Sequence, residues 1–152
     1  MSIRQKVTIR RTGSKMSVSK KTQALDLKAS ILNCEFYHGN KTYVESLVYD
    51  LEFLKIIVIA DSTTKLEITF HQPIGFRCLD EGDLLEFWDN SEITNNWIVE
   101  IHNSGWLEQE SNRKGFLSRT SELREFLVMG QNDCISVLDT NSPNIKLIEN
   151  DL

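Results

Sequence analysis

The stretch "CLDEGDLLEFWDN" (residues 78–90) gathers five carboxylates, Asp80, Glu81, Asp83, Glu86 and Asp89, around the aromatic pair Phe87 and Trp88. Residues of these types support three different uses. Asp80 and Asp83 offer the hard oxygen donors that Mg²⁺ and Ca²⁺ take, but the Asp-x-Asp-x-Asp-Gly spacing of a calcium loop is missing. The whole set, with Trp88 as an aromatic anchor, suits a surface for a basic partner: guanidinium groups pair bidentately with carboxylates, and buried aromatics dominate interface energetics. The third use is local. Asp83 and Glu86 have the Asp-x-x-Glu spacing of a capping box, Gly82 permits a sharp turn, and acids are favoured near a helix N-terminus. The spacing predicts a short helix over 83–89, with partner binding as a second role for the same carboxylates.

Little else in the chain offers chemistry. The seven glycines are scattered singly, and no phosphate-binding loop, nucleophile elbow, His-Glu-x-x-His helix or Cys-x-x-Cys pair occurs. His38, His71 and His102, with Cys34, Cys78 and Cys134, are the residue types a zinc ion takes, yet their spacing is not that of a ligand set. No cofactor and no metal is therefore expected. A catalytic site assembled from distant residues stays open, because such sites are defined by geometry and not by sequence order. His71, His102 and carboxylates across a β cleft are the candidates for it.

The elements that must position these groups are mostly strands. Residues 25–38 alternate with period two and slip phase at Ile31–Leu32, which predicts a strand with a bulge or bend. Tyr43 to Ala60 carries strand-like parity, "DSTTK" (61–65) turns, and Leu66, Ile68 and Phe70 alternate with polar residues. "QPIG" (72–75) breaks that run. Trp97, Val99 and Ile101 alternate, the chain turns at Asn103–Gly105, and the pattern resumes at Trp106 as a further strand carrying Glu108 and Glu110. "EFLVMGQNDCISVLD" reads as strand, turn and strand, and Ile145–Ile148 as a last short strand. A second helix is predicted over Ser118–Arg124. Tryptophans 88, 97 and 106 sit nine apart, but the residues after them share no pattern, so no repeat is present. The expected fold is α+β, predominantly antiparallel β-sheet of about seven or eight strands, with one or two short helices.

At 152 residues with 40% hydrophobic and 26% charged residues, the chain has the balance of one globular domain. Its longest apolar run, "IIVIA" at 56–60, is far short of the ~20 residues a bilayer requires. Three widely spaced cysteines read as reduced thiols and a cytoplasmic address. Charge is unevenly divided. Residues 1–24 hold seven of the 17 Lys and Arg and no acid; the remainder holds ten against 22 acids, a net of −12. The expected organisation is a basic leader over 1–24 and a single β-rich domain over 25–152. The leader has the composition of a transit peptide, of a basic arm for nucleic acid or for the acidic body itself, of a plain solvated tail, or of sequence upstream of a true start at Met16. The acidic body disfavours nucleic acid as a partner over most of its surface.

The run "ITFHQPIGFRCLDEGDLLEFWDN" (68–90), with the preceding Tyr49/Phe53 strand and the later "EFLVMGQNDCISVLDT" (125–140), resembles small bacterial immunity proteins of contact-dependent inhibition and other polymorphic toxin systems. The resemblance extends from Tyr43 onward, and its compact element is Gly75-Phe76-Arg77-x-Leu79-Asp80-Glu81-Gly82-Asp83-Leu84. It implies a cytoplasmic, non-enzymatic protein that masks a cognate toxin domain, often a basic nuclease. The expected contacts are then Asp80, Glu81, Asp83, Glu86, Asp89 and Trp88, with Glu108 and Glu110 next should Trp88 fill the core. A small cytosolic enzyme is the alternative, and a nucleic-acid adaptor using the leader is a third reading.

Overall fold

The computed structural model describes residues 26–148, so the basic leader lies outside the described residues. Nine strands form two antiparallel sheets there. One has five strands in the order β1–β6–β7–β8–β5 and the other four in the order β2–β3–β4–β9. The strands are β1 (Lys28–Ile31), β2 (Tyr43–Tyr49), β3 (Phe53–Ile59), β4 (Lys65–His71), β5 (Gly75–Asp80), β6 (Ile98–Asn103), β7 (Arg124–Met129), β8 (Asp133–Asp139) and β9 (Asn144–Ile148). This is the mostly β, α+β architecture expected, with one or two strands more.

Period two decides which residues meet between the sheets. Leu54, Ile56, Val58, Leu66, Ile68 and Phe70 face inward from the four-stranded sheet, onto Trp97, Ile98, Phe126, Val128, Ile135 and Val137. The five-stranded sheet is also covered on its other face. There Val99, Ile101, Leu127, Met129 and Cys134 pack beneath Leu84, Phe87 and Ile93. A strand buried on both faces has no polar side to show. That is why "FLVM" reads as an unbroken apolar run and "CISVL" as one broken only by the buried Ser136, whereas "LEITFH" at the solvated sheet alternates.

The second layer comes from short helices that only partly follow the sequence pattern. A 3₁₀ segment spans Glu81–Phe87, interrupted at Leu84 (φ −123°, ψ 33°), and is capped by Asp80, whose Oδ1 accepts the Gly82 N–H at 2.9 Å. The helix expected over 83–89 therefore begins two residues earlier, and Asp80 takes the capping role expected of Asp83. Helix α1 (Ser91–Thr94) follows, its first turn capped by the Asn90 side chain. The strand expected from Trp106 is instead helix α2 (Trp106–Asn112). The helix expected over Ser118–Arg124 is absent: irregular chain leads directly into β7 at Arg124. The phase slip at Ile31–Leu32 is the end of β1, and its register shift lies earlier, between Lys28 and Ala29.

Two loops carry recognisable reasons for their shape. Asp61 accepts the backbone N–H groups of Thr63 (2.9 Å) and Thr64 (2.8 Å), which closes the β3–β4 turn at "DSTTK". Asn132, in the β7–β8 turn, accepts the Val44 N–H and donates to the Val44 carbonyl, each at 3.0 Å. A side-chain amide thus stands where a neighbouring strand would pair with the outer edge of β2.

Candidate functional site

The acidic residues singled out by the sequence lie on the layer that covers the five-stranded sheet. Asp80, Glu81, Asp83, Glu86 and Asp89 are all exposed, and Glu92 on α1 joins them. Leu84 and Phe87 are fully buried against the sheet and pin the segment that displays the carboxylates. Trp88 is half-buried. It packs against that second core, and its indole N–H donates to the Glu81 carbonyl at 3.0 Å. Trp88 is therefore a support for the acidic layer with one face showing, not a free anchor.

The apolar residue that does stand free is not among those expected from the sequence. Leu85 is 70% exposed between Asp83 and Glu86. A 3₁₀ helix has three residues per turn, so positions three apart share a face. Leu84 and Phe87 are such a pair, both buried, which leaves Leu85 turned outward. The adjacent "LL" is the local signal for this, since two successive leucines cannot both face one sheet from a short helix.

The electrostatics of this face are one-sided. From Cys78 to Asn112 the chain has no Lys or Arg over 35 residues. Several carboxylates elsewhere are matched: Glu45 holds Lys65, Glu67 holds Lys146, Glu110 holds Arg113, and Glu100 grips Arg124. Among the described residues no salt bridge reaches Asp80, Glu81, Asp83, Glu86, Asp89 or Glu92, although Glu86 lies within electrostatic reach of Arg77. Asp80 also lies directly opposite Asp133 across β5 and β8. Like charges in register cost stability unless a cation shares them.

The fallback residues are engaged otherwise. Glu110 accepts the Trp106 indole N–H at 3.1 Å as well as Arg113, and Glu108 accepts the Ser104 N–H at 2.6 Å, both on a helix and not a strand. Beneath α2 lies Glu125, only 1% exposed, which accepts the N–H groups of Trp106 (3.1 Å) and Leu107 (2.8 Å). Burial pushes this carboxyl above its ordinary range, against those two hydrogen bonds and the nearby Arg77 guanidinium. Gly105 is required at this contact, because a Cβ there would clash with Glu125 Oε2 and with Ile101 Cγ2.

The histidines do not converge. His71 ends β4 against Phe53, with Glu52 at 3.7 Å, on the four-stranded sheet. His102 belongs to the other sheet and is hydrogen-bonded to Ser30 at 2.7 Å. His38 lines a separate cavity of about 270 Å³ beside Cys34 and Trp97. A larger cleft, about 510 Å³, opens between the 31–36 segment and residues 142–145, and holds one carboxylate, Glu35, and no histidine. Among the described residues no three His, Cys, Asp or Glu side chains are grouped as metal ligands, and no helix is long and apolar enough to cross a membrane.

Fold and site together define a two-sheet β protein with one uncompensated acidic face. Compared with protein-family models, curated proteins and solved structures, the chain matches none.

Proposed function

We propose that this protein is a non-enzymatic, immunity-type inhibitor that binds a cognate basic toxin domain through its acidic face in the cytoplasm. The observation that carries the reading is a layer of exposed carboxylates, Asp80 to Glu92, with no salt-bridge partner among the described residues and with Leu85 projecting from its middle. Such a face attracts a Lys/Arg-rich surface over long range and accelerates encounter, while an apolar side chain at its centre supplies desolvated contact. A nuclease domain has the required chemistry, since it must be basic to hold phosphate. The resemblance of residues 68–90 and 125–140 to immunity proteins points the same way.

The test is affinity capture from the native host with the intact protein and with an Asp83→Lys/Asp89→Lys variant. Neither side chain makes a salt bridge among the described residues, so the variant's stability should lie within about 0.5 kcal/mol of the parent's. The parent should retain a basic protein stoichiometrically, one that is toxic when expressed alone. The variant should bind it at least tenfold more weakly, the scale expected when charged contacts are reversed. A partner held equally by both proteins would move the interface off this face.

A further inference from the structure

Among the described residues four strands end the two sheets: β1 and β5 in one, β2 and β9 in the other. A sheet edge keeps one row of backbone donors and acceptors outside its ladder, the template an added strand uses. Three of these edges are poor templates. β1 has four residues and a register shift between Lys28 and Ala29. The Asn132 amide occupies the backbone groups of β2 at Val44. β9 has five residues with Lys146 at its centre, and lysine is a common guard of exposed edges. β5 has six residues, no proline or lysine, and no register shift against β8. Its one cation is drawn off the edge: the Arg77 guanidinium lies 5.1 Å from the Trp106 ring centroid, with Nε donating to Ser136 Oγ at 3.4 Å.

The side chains along β5 set the chemistry of a strand that fits it. Phe76, Cys78 and Asp80 share one face by period two, and they pair with Val137, Ile135 and Asp133 of β8. Phe76 is half-buried, with the Tyr49 ring edge-on to it at 5.2 Å, whereas Cys78 and Asp80 are exposed. The face is therefore apolar at one end and doubly acidic at the other. There Asp80 and Asp133 stand in register with no salt bridge among the described residues. A cation on an added strand, directly opposite Asp80, meets it at ordinary cross-strand distance and relieves that repulsion. We propose that the partner adds a strand to β5, antiparallel like the other pairs of this sheet, with Arg or Lys opposite Asp80 and apolar residues opposite Cys78 and Phe76. The partner's identity rests on the inhibitor reading above; what is added is the mode of contact. β5 ends at Asp80 and the acidic layer opens at Glu81, so strand and basic face engage one continuous surface.

Cys78 reports on this edge directly, because it is exposed near the middle of β5 while Cys34 and Cys134 are buried and serve as references. The probe is a short blocked peptide alternating threonine with arginine, valine and valine; its control carries glutamate in place of arginine. One added strand of this length should bind with a Kd on the order of 1 mM. At about 10 mM the arginine peptide should slow iodoacetamide alkylation of Cys78 in the full chain about tenfold. It should also slow amide exchange in β5 and leave β6 and β7 unchanged, and the glutamate peptide should do neither. Alkylation equally fast with and without the arginine peptide overturns the proposal. So does equal protection by both peptides, which removes the charge preference, and so does protection that grows with protein concentration alone, which assigns the edge to a second copy. The two readings fail separately. A captured basic partner that leaves Cys78 as reactive as in the free protein removes strand addition and keeps the inhibitor. Peptide protection with no captured toxin removes the inhibitor and keeps the edge.

Discussion

Replacing Glu125 with alanine is expected to destabilise the fold by on the order of 3 kcal/mol, because it strands two buried backbone donors, Trp106 and Leu107, and removes a counter-charge from Arg77. The guanidinium is already poorly served: its Nη2 is buried without a hydrogen-bond partner among the described residues. Urea denaturation of parent and variant measures the loss, and a change below about 0.5 kcal/mol would mean that water or repacking replaces the carboxylate. Glu125→Gln gives a sharper reading. Burial raises the Glu125 pKa above its ordinary 4.5, so over that interval the folded protein holds a proton that the unfolded chain has released. Stability from this residue therefore falls as pH rises from about 4.5 through the folded pKa. The parent's advantage over the Gln variant should shrink across that window and then level off. Glu100, whose pKa the Arg124 hydrogen bonds lower, works in the opposite sense: its contribution is present above 4.5 and is lost as pH falls through the folded value.

Phe87→Ala is expected to cost about 3–5 kcal/mol, the range for emptying a fully buried aromatic site. Its location makes the loss informative. Phe87 and Leu84 are the side chains that hold the 3₁₀ segment to the five-stranded sheet, so the damage should fall first on the acidic layer. Partner affinity should drop under conditions where β7 and β8 remain protected from exchange. Uniform unfolding at the same denaturant concentration for both regions would show instead that the layer and the sandwich are one cooperative unit.

How far the sequence can be read depends on which force sets each element. The strands at 43–71 are legible because alternation and turn residues agree there, and the 124–139 hairpin because two short apolar runs flank the turn residues of "GQND". Strand β5 is not, since "GFRCLD" mixes a half-buried Phe76 and Arg77 with an exposed Cys78 at a sheet edge. Helix α2 reads as a strand because the alternation of Trp97, Val99 and Ile101 carries past the turn to Trp106, although Leu107, Glu108, Gln109 and Glu110 are good helix formers. Its start is fixed by Glu125, nearly twenty residues downstream, and that tertiary contact leaves no local trace. The acidic layer is visible as composition, and the structure leaves all five of its carboxylates exposed on the segment that covers the sheet. Leu85 is hidden in the sequence among charged neighbours that outweigh it. Trp88 stands out by its type alone, but its own hydrogen bond turns it into a prop.

The paired hydrogen bonds from Asn132 to Val44 bear on colloidal behaviour as much as on folding. The first half of β2 cannot recruit another molecule's strand while that amide occupies its backbone groups, even though Tyr43 and Val48 are more than half exposed nearby. A single side chain in a turn of the opposite sheet thereby helps to keep a long, apolar edge from seeding ordered aggregates.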